Sequence, residues 1–241
     1  MKKHYWYIIL TYILMQLSGI LGVRLLLALG FFEDKPMQEG LQYATIYWTI
    51  FSFTVALMIT LLLLRKERHM RTEKIHIPQA VFWSIGGIFL AMIAQSIAGV
   101  IEMKVFGIEP GSENTEFIVE LVRITPMLIV VTSVIGPILE EIIFRKIIFG
   151  SLHKRFNFFI SALISSVIFA AVHMDFIHIL IYTAMGFVFA FLYAKTKTII
   201  VPIFAHVAMN TIVVLMQTIF ADKIEELQKQ AEQLQFIFGG F

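Results

Sequence analysis

Long apolar stretches divide the chain. Hydrophobic residues make up 59% of its 241 residues and charged residues only 15%, whereas a soluble domain has about 45–50% apolar and about 25% charged residues. A stretch of about 20 apolar residues can cross the hydrocarbon core of a bilayer as a helix. Seven stretches meet this criterion: Tyr5–Phe31, Tyr43–Leu64, Ile77–Ile101, Val122–Phe149, Phe158–His173, Phe176–Ala194 and Thr198–Phe220. The sequence therefore predicts an all-α protein, a polytopic membrane helix bundle with about seven transmembrane helices.

Basic residues are concentrated in alternate loops. Those that precede the first span or follow the second, fourth and sixth are Lys2, Lys3, Arg65, Lys66, Arg68, Arg71, Lys74, Lys146, Lys154, Arg155, Lys195 and Lys197. The basic residues of the intervening loops are Lys35 and Lys104, which stand among many acidic residues. Because lysine and arginine are enriched in cytoplasmic loops, we predict a multi-pass cell-membrane protein with a cytoplasmic N-terminus.

The last four spans contain more small and polar residues than the first three. Small residues let helix backbones approach closely in lipid. The sequence therefore predicts scaffold helices over residues 1–118 and a catalytic or transport core over residues 119–220. In residues 221–241, Ile224, Leu227, Ala231 and Leu234 follow helical spacing. This pattern indicates an amphipathic tail, which could lie on the membrane or pair with a partner helix, but we favour a solvated helix end.

Two adjacent carboxylates, Glu140 and Glu141, lie inside the fourth apolar stretch, and Arg145 follows. A charge at the bilayer centre costs about 2.5–3.5 kcal/mol on insertion scales, so these groups need partners. Glu141 and Arg145 are one helical turn apart, with the acid first, which is the better order for an ion pair. Glu140 points about 100° away from Glu141. We therefore expect Glu141 to pair with Arg145 and Glu140 to remain free to react, with Pro137 loosening the helix just before them.

Two further polar clusters lie in the spans that follow. Phe169 and His173 are four residues apart in span five, and His206 and Asn210 share one helix face in span seven. With Glu140 they form an acid–base set at membrane depth. Desolvation favours the protonated form of a buried carboxyl group, which suits a general base that takes a proton from water and returns it. His206 and Asn210 could donate hydrogen bonds to a developing oxyanion.

The motifs E-E-x-x-x-R, F-x-x-x-H and H-x-x-x-N, in this order on successive spans, resemble the CPBP intramembrane protease family over about Thr125–Val214. This is the Abi group, related to the type-2 CAAX prenyl endopeptidases. The resemblance implies an intramembrane endopeptidase that hydrolyses a peptide bond in a membrane-associated peptide or protein, with its protease core in residues 119–220. It also implies the roles of the site residues: Glu140 and His173 activate water, His206 and Asn210 form the oxyanion hole, Glu141 and Arg145 brace the site, and Phe169 packs beneath it.

Several alternatives stay open. Glu140, His173 and His206 could instead hold zinc with water as the fourth ligand, but we favour a metal-free, glutamate-type site because Asn210 suits a carbonyl oxygen better. Zero cysteines exclude thiolate catalysis and disulfides. A transporter would also place Glu, His and Arg in the membrane, but the chain has no inverted repeats. An inactive regulator of the same fold is opposed by the intact site residues. A net charge of +2 does not suggest nucleic acid, so the expected partners are membrane lipid and the substrate.

The depth of the site residues raises a difficulty. At about 1.5 Å per residue, Glu140 and His206 fall inside their spans, whereas His173 falls nearer the outer end of its own. The three can meet only if span five is tilted or starts deeper, or if span four is broken at Pro137. We expect the cavity in the cytoplasmic half, as the resemblance suggests. We interpret Asp175 and His178 as loop residues of the outer surface, with substrate contact as the less favoured alternative.

Overall fold

The structure, a computed structural model, describes residues 1–67 and 76–220. Their helices are α1 (Lys3–Ala28), α2 (Met37–Leu64), α3 (Ile77–Phe106), α4 (Glu113–Ile124), α5 (residues 128–152), α6 (Phe158–Ala171), α7 (Ile179–Thr196) and α8 (Ile200–Ile219). A short 3₁₀ turn, Arg65–Glu67, follows α2. The basic residues Arg68, Arg71 and Lys74 and the tail at residues 221–241 lie outside the described residues.

Five of the helices, α1, α2, α3, α7 and α8, are long and apolar enough to cross a membrane. Helix α6 is apolar but has only 14 residues, which corresponds to about 21 Å. Helix α5 is long but interrupted, and it occupies the position of the predicted fourth span. The prediction of an all-α polytopic membrane bundle is confirmed.

The predicted start of the fourth span at Val122 is wrong. Val122 belongs to α4, a separate 12-residue helix, and the new span begins at Leu128. The break follows from Pro126, because the residue before a proline is pushed out of the helical region. Thr125 accordingly has extended backbone angles, φ −138° and ψ 93°.

Helix α5 contains two π-helical segments. Val131–Ile135 and Glu141–Phe149 have π-helical geometry on either side of the α-helical turn Gly136–Glu140. Pro137 stands in the first turn of that middle piece, where its missing N–H costs least. π-Helical turns are frequent at functional sites. The expected disturbance of the helix near Pro137 is therefore present: one π-helical segment ends just before the turn that contains Pro137 and Glu140, and the other begins at Glu141.

The core of the bundle surrounds α5 and the α6–α7 pair. The buried apolar side chains of α5 are Leu139, Ile142, Ile143, Phe144 and Ile147. Helices α6 and α7 pack closely through small residues: a Cβ added to Gly186 would lie 2.9 Å from Cβ of Ser166. Because α5 is enclosed by other helices, polar groups on it are removed from lipid.

Candidate active site

A cavity of about 530 Å³ lies inside the bundle, and Glu140, His173, His206 and Asn210 all contribute to its wall. This volume is within the range of about 300–1,000 Å³ that is common for ligand sites. The four residues come from α5, the turn after α6, and α8. The structure thus brings together the four side chains that the sequence predicted to be catalytic.

His206 lies between the two glutamates. Its Nδ1 is 3.0 Å from Oε1 of Glu141, and its Nε2 is 3.8 Å from Oε2 of Glu140. Because a carboxylate oxygen accepts, Nδ1 of His206 carries the proton of the shorter bond. A histidine bonded to a carboxylate in this way has a fixed ring orientation. The sequence predicted the pairing of Glu141 with Arg145 but not this bond to His206.

Arg145 is fully buried beside Glu141. Its Nε lies 3.3 Å from Oε2 of Glu141, and neither side chain has exposed surface. Nη1 and Nη2 of Arg145 have no hydrogen-bond partner within the described residues. Three aromatic rings enclose the guanidinium instead: Cζ lies 4.5 Å from the ring centre of Phe169, 5.6 Å from that of Phe189 and 5.9 Å from that of Phe144. The faces of aromatic rings attract a cation, so these rings stabilise the buried guanidinium. The expected ion pair between Glu141 and Arg145 is present.

His173 follows the end of α6 and is fixed from three sides. Its Nδ1 donates to the carbonyl oxygen of Phe169 at 2.8 Å. Its ring stacks on Tyr182 at 4.3 Å between centres and meets the edge of Phe169 at 4.6 Å. The depth difficulty is resolved because α6 ends at Ala171 after only 14 residues. His173 therefore lies within the bundle, on the cavity wall.

A zinc site would need Glu140, His173 and His206 to converge on one metal ion. Within residues 1–67 and 76–220, no three histidine or carboxylate side chains converge as a set that could hold a metal ion. The bond from Nδ1 of His206 to Glu141 fits either mechanism, because a histidine that binds a metal through one ring nitrogen usually donates the other N–H to a carboxylate or carbonyl oxygen.

The cavity lies in the half of the bundle away from the start of α1. Its wall includes residues just before or in the first turn of α4 and of α7, and near the end of α8: Gly111, Ser112, Asn114, Thr115, His178, Tyr182 and Gln217. With the predicted cytoplasmic N-terminus, this is the outer half. The expectation of a cavity in the cytoplasmic half therefore disagrees with the predicted topology.

A buried Glu102–His178 pair was missed by sequence reasoning. Nδ1 of His178 donates to Oε2 of Glu102 at 2.8 Å, and Oε1 of Glu102 accepts from the backbone N–H groups of Leu180 and Ile181. Glu102 thereby satisfies free donors at the start of α7. His178 lies in the loop before α7, as expected, but it is not on the surface, since it is 8% exposed and contributes to the cavity wall. The available signal was a lone acid in the last turn and a half of the apolar α3.

The first three helices also contribute to the cavity wall, with Tyr12 and Gln16 from α1, Phe53 from α2 and Gln95 from α3. Tyr12 is buried, and its hydroxyl accepts from Nε2 of Gln16 at 3.3 Å. For Gln16 and Gln95, the signal in the sequence was a glutamine inside an apolar helix. Their proximity to Glu140 depends on how the helices pack, and the sequence alone does not show it.

Comparisons with known proteins agree with the site. A family model described as type II CAAX prenyl endopeptidase Rce1-like matches residues 123–212. The chain is 50% identical, over all of its length and 99% of the relative, to the putative membrane peptidase YdiL of Bacillus subtilis (strain 168). It is 32% identical, over 98% of both chains, to the membrane-embedded CAAX protease MroQ of Staphylococcus aureus (strain USA300).

A shorter match, 30% identical, covers 54% of this chain and 73% of the UPF0177 protein YxdF of Lactococcus lactis subsp. lactis (strain IL1403). No solved structure matches the chain. The resemblance to the CPBP proteases is confirmed by the family match and by the two full-length relatives. The chain belongs to the Rce1-like family of type II CAAX prenyl endopeptidases, a family of membrane peptidases.

Proposed function

We propose that the protein is an intramembrane endopeptidase in which Glu140 is the general base. The observation that carries this proposal is that Glu140, His173, His206 and Asn210 line one cavity in a member of a peptidase family. The side chain of Glu140 is 16% exposed, whereas that of Glu141 has no exposed surface. Glu140 is therefore the carboxylate that a water molecule can reach.

The charges of the site balance when His206 is protonated. A buried charge is costly unless an opposite charge accompanies it. Glu140 and Glu141 bring two negative charges, and Arg145 brings one positive charge. A proton on each ring nitrogen of His206 supplies the second positive charge, with Nδ1–H donating to Glu141. Nε2–H is then available, with the amide of Asn210, as a donor to an oxyanion.

The proposed reaction uses one water molecule. His173 spends its Nδ1–H on the carbonyl of Phe169, so its Nε2 lone pair can accept a hydrogen bond from that water. Glu140 takes a proton from the water as the oxygen bonds to the substrate carbonyl carbon. His206 and Asn210 stabilise the resulting oxyanion. The C–N bond then breaks, and Glu140 returns its proton to the departing nitrogen.

We favour this glutamate-type mechanism over a zinc mechanism. It uses Asn210 as a hydrogen-bond donor to oxygen, and among the described residues Glu140, His173 and His206 do not converge as a set that could hold a metal ion. Metal analysis of the purified protein, combined with its cleavage activity before and after treatment with a chelator, distinguishes the glutamate mechanism from the zinc mechanism. Stoichiometric zinc whose removal abolishes cleavage would overturn the glutamate mechanism.

We also propose a cytoplasmic N-terminus and a membrane-associated peptide or protein as the substrate. The alternation of basic loops supports the orientation. The chemistry belongs to residues 119–220, and residues 1–118 act as a scaffold that completes the cavity through Tyr12, Gln16, Phe53 and Gln95. The amphipathic tail at residues 221–241 remains a prediction.

A matched pair of variants tests the role of Glu140. Peptides in membranes and culture medium are compared by mass spectrometry for cells that produce the wild type, Glu140→Gln or Glu109→Gln. Glu109 is an exposed acid after α3 and controls for the substitution itself. We expect products that occur with the wild type and Glu109→Gln to be lost with Glu140→Gln, because a general base contributes about 10²–10⁴-fold. Unchanged products with Glu140→Gln would refute the mechanism.

A further inference from the structure

A cluster around Glu67 marks one end of the bundle. Glu67 accepts hydrogen bonds from Lys2 Nζ at 2.6 Å and His4 Nε2 at 3.0 Å. The hydroxyl of Tyr5 donates to Glu67 at 3.2 Å, and Lys146 Nζ lies 3.2 Å away. Burial of Glu67 opposes its ionisation, but the hydrogen bonds outweigh burial and lower its pKa from 4.5 to about 2. The start of α1, the end of α2 and the second half of α5 therefore meet at this end.

A second set of polar contacts marks the opposite end. Ser112, just before α4, donates its hydroxyl proton to Oδ2 of Asp175 at 2.7 Å. The Glu102–His178 bond at 2.8 Å joins the end of α3 to the same α6–α7 loop. The loops that follow α3 and α6 therefore meet at this end.

The two ends differ in basic residues. The described basic residues of the Glu67 end are Lys2, Lys3, Arg65, Lys146, Lys154, Arg155, Lys195 and Lys197. The described basic residues of the opposite end are fewer, and they stand among more acidic residues. The basic ones are Arg24, Lys35, Lys104 and Arg123, and the acidic ones include Glu33, Asp34, Glu39, Glu109, Glu116 and Glu120. Because basic loops stay in the cytoplasm, the Glu67 end is the cytoplasmic end and the opposite end faces outward.

The cavity runs from the middle of the bundle toward the outward end. Glu140 and His206 form its deep part, and Ser112, Asn114 and Gln217 line it near the outer loops. On the cytoplasmic side of His206 the bundle is packed with side chains that have no exposed surface: Arg145, Ile147, Phe189, Leu192 and Val201. A peptide in contact with the cavity from the cytoplasm would have to displace this packing.

We propose that the catalytic cavity opens to the outer face of the membrane and receives its substrate from that side. The substrate class is then a membrane-anchored peptide segment that has been exported or translocated, with its scissile bond in the outer half of the bilayer or just outside it. This inference rests on the proposed peptidase function. The carboxamides of Asn114, Gln95 and Gln217 on the cavity wall can both donate to and accept from an extended peptide backbone.

Single cysteines test the opening directly, because the chain has no native cysteine. Thr132→Cys and Gln217→Cys place thiols on the cavity wall, Glu109→Cys serves as the outer reference, and His153→Cys serves as the cytoplasmic reference. Intact cells that produce each full-length variant are treated with a charged, membrane-impermeant methanethiosulfonate reagent, and permeabilised cells are treated in parallel. The unsubstituted chain is the blank, and membrane extraction verifies production of each variant.

We expect both cavity thiols and Glu109→Cys to react in intact cells, and His153→Cys to react only after permeabilisation. The proposal would be overturned if the cavity thiols were labelled only after permeabilisation, as expected for His153→Cys, and not in intact cells, as expected for Glu109→Cys. Because the two cavity thiols lie on different helices, α5 and α8, a folding defect in one variant leaves the other to decide the result. The labelling does not depend on catalysis, so an outward cavity with unchanged cleavage in Glu140→Gln would refute only the peptidase mechanism.

Discussion

Replacing Arg145 with methionine removes the partner of a buried carboxylate while keeping a long side chain. Arg145 and Glu141 have no exposed surface, and Nε and Oε2 are 3.3 Å apart. Breaking one side of such a pair costs about 3–5 kcal/mol, because the remaining charge stays buried without compensation. For a chain of this size, with a shift of about 2–4 °C per kcal/mol, the melting temperature should fall by about 6–20 °C.

The double variant separates the ion pair from simple loss of packing. In Arg145→Met/Glu141→Gln no uncompensated charge remains, so its destabilisation should fall short of the sum of the single effects by about 1–3 kcal/mol. His206 still loses a charged acceptor, so the double variant should not regain wild-type stability. Thermal unfolding in detergent measures all four members of the cycle, with exposed Arg155→Met as the control. Additive single effects, or an Arg145→Met variant as stable as the wild type, would refute the reasoning.

Two other substitutions probe packing and pH dependence. Gly186→Ala should destabilise the protein by about 1–3 kcal/mol, since the added Cβ would lie 2.9 Å from Cβ of Ser166 in the α6–α7 contact. Gly86→Ala is the control: its added Cβ would meet no atom within 4 Å, so this variant should be neutral or stabilising in thermal unfolding. The pKa of Glu67 is lowered from 4.5 to about 2 in the folded chain, so its contribution is present above about pH 4.5 and is lost as the pH falls toward 2. Melting temperatures between pH 5 and pH 2 should therefore fall less steeply for Glu67→Gln than for the wild type, and parallel curves would contradict this role.

The sequence predicted the bundle and the principal site residues because both depend on local patterns. Apolar length alone locates most of the spans, and the four-residue intervals from Glu141 to Arg145 and from His206 to Asn210 place each pair on one helix face. The depth of His173 could not be predicted, since it depends on α6 ending after 14 residues. The predicted start of the fourth span at Val122 is wrong because Pro126 holds Thr125 in an extended conformation, which apolar length alone does not reveal.

Long-range contacts lay beyond the sequence. The four groups around Glu67 include side chains more than 60 positions away, and Glu102 bonds His178 across 76 positions. Nothing in either local stretch predicts the partner, because such contacts depend on how whole helices pack. The bond from His206 to Glu141 is of the same kind, and it shows Glu141 as a carboxylate shared by Arg145 and His206 rather than a partner of Arg145 alone.

The most direct test of the account measures peptide-bond cleavage by the purified protein in lipid nanodiscs, with a substrate peptide identified by the comparison of wild-type and Glu140→Gln cells. The account predicts that Glu140→Gln lowers kcat by about 10²–10⁴-fold. The melting temperature should stay that of the wild type, because the nearest charged partner of Glu140 among the described residues is His206 at 3.8 Å, beyond hydrogen-bond distance. A folded Glu140→Gln variant with wild-type kcat would contradict the central claim that Glu140 activates the attacking water.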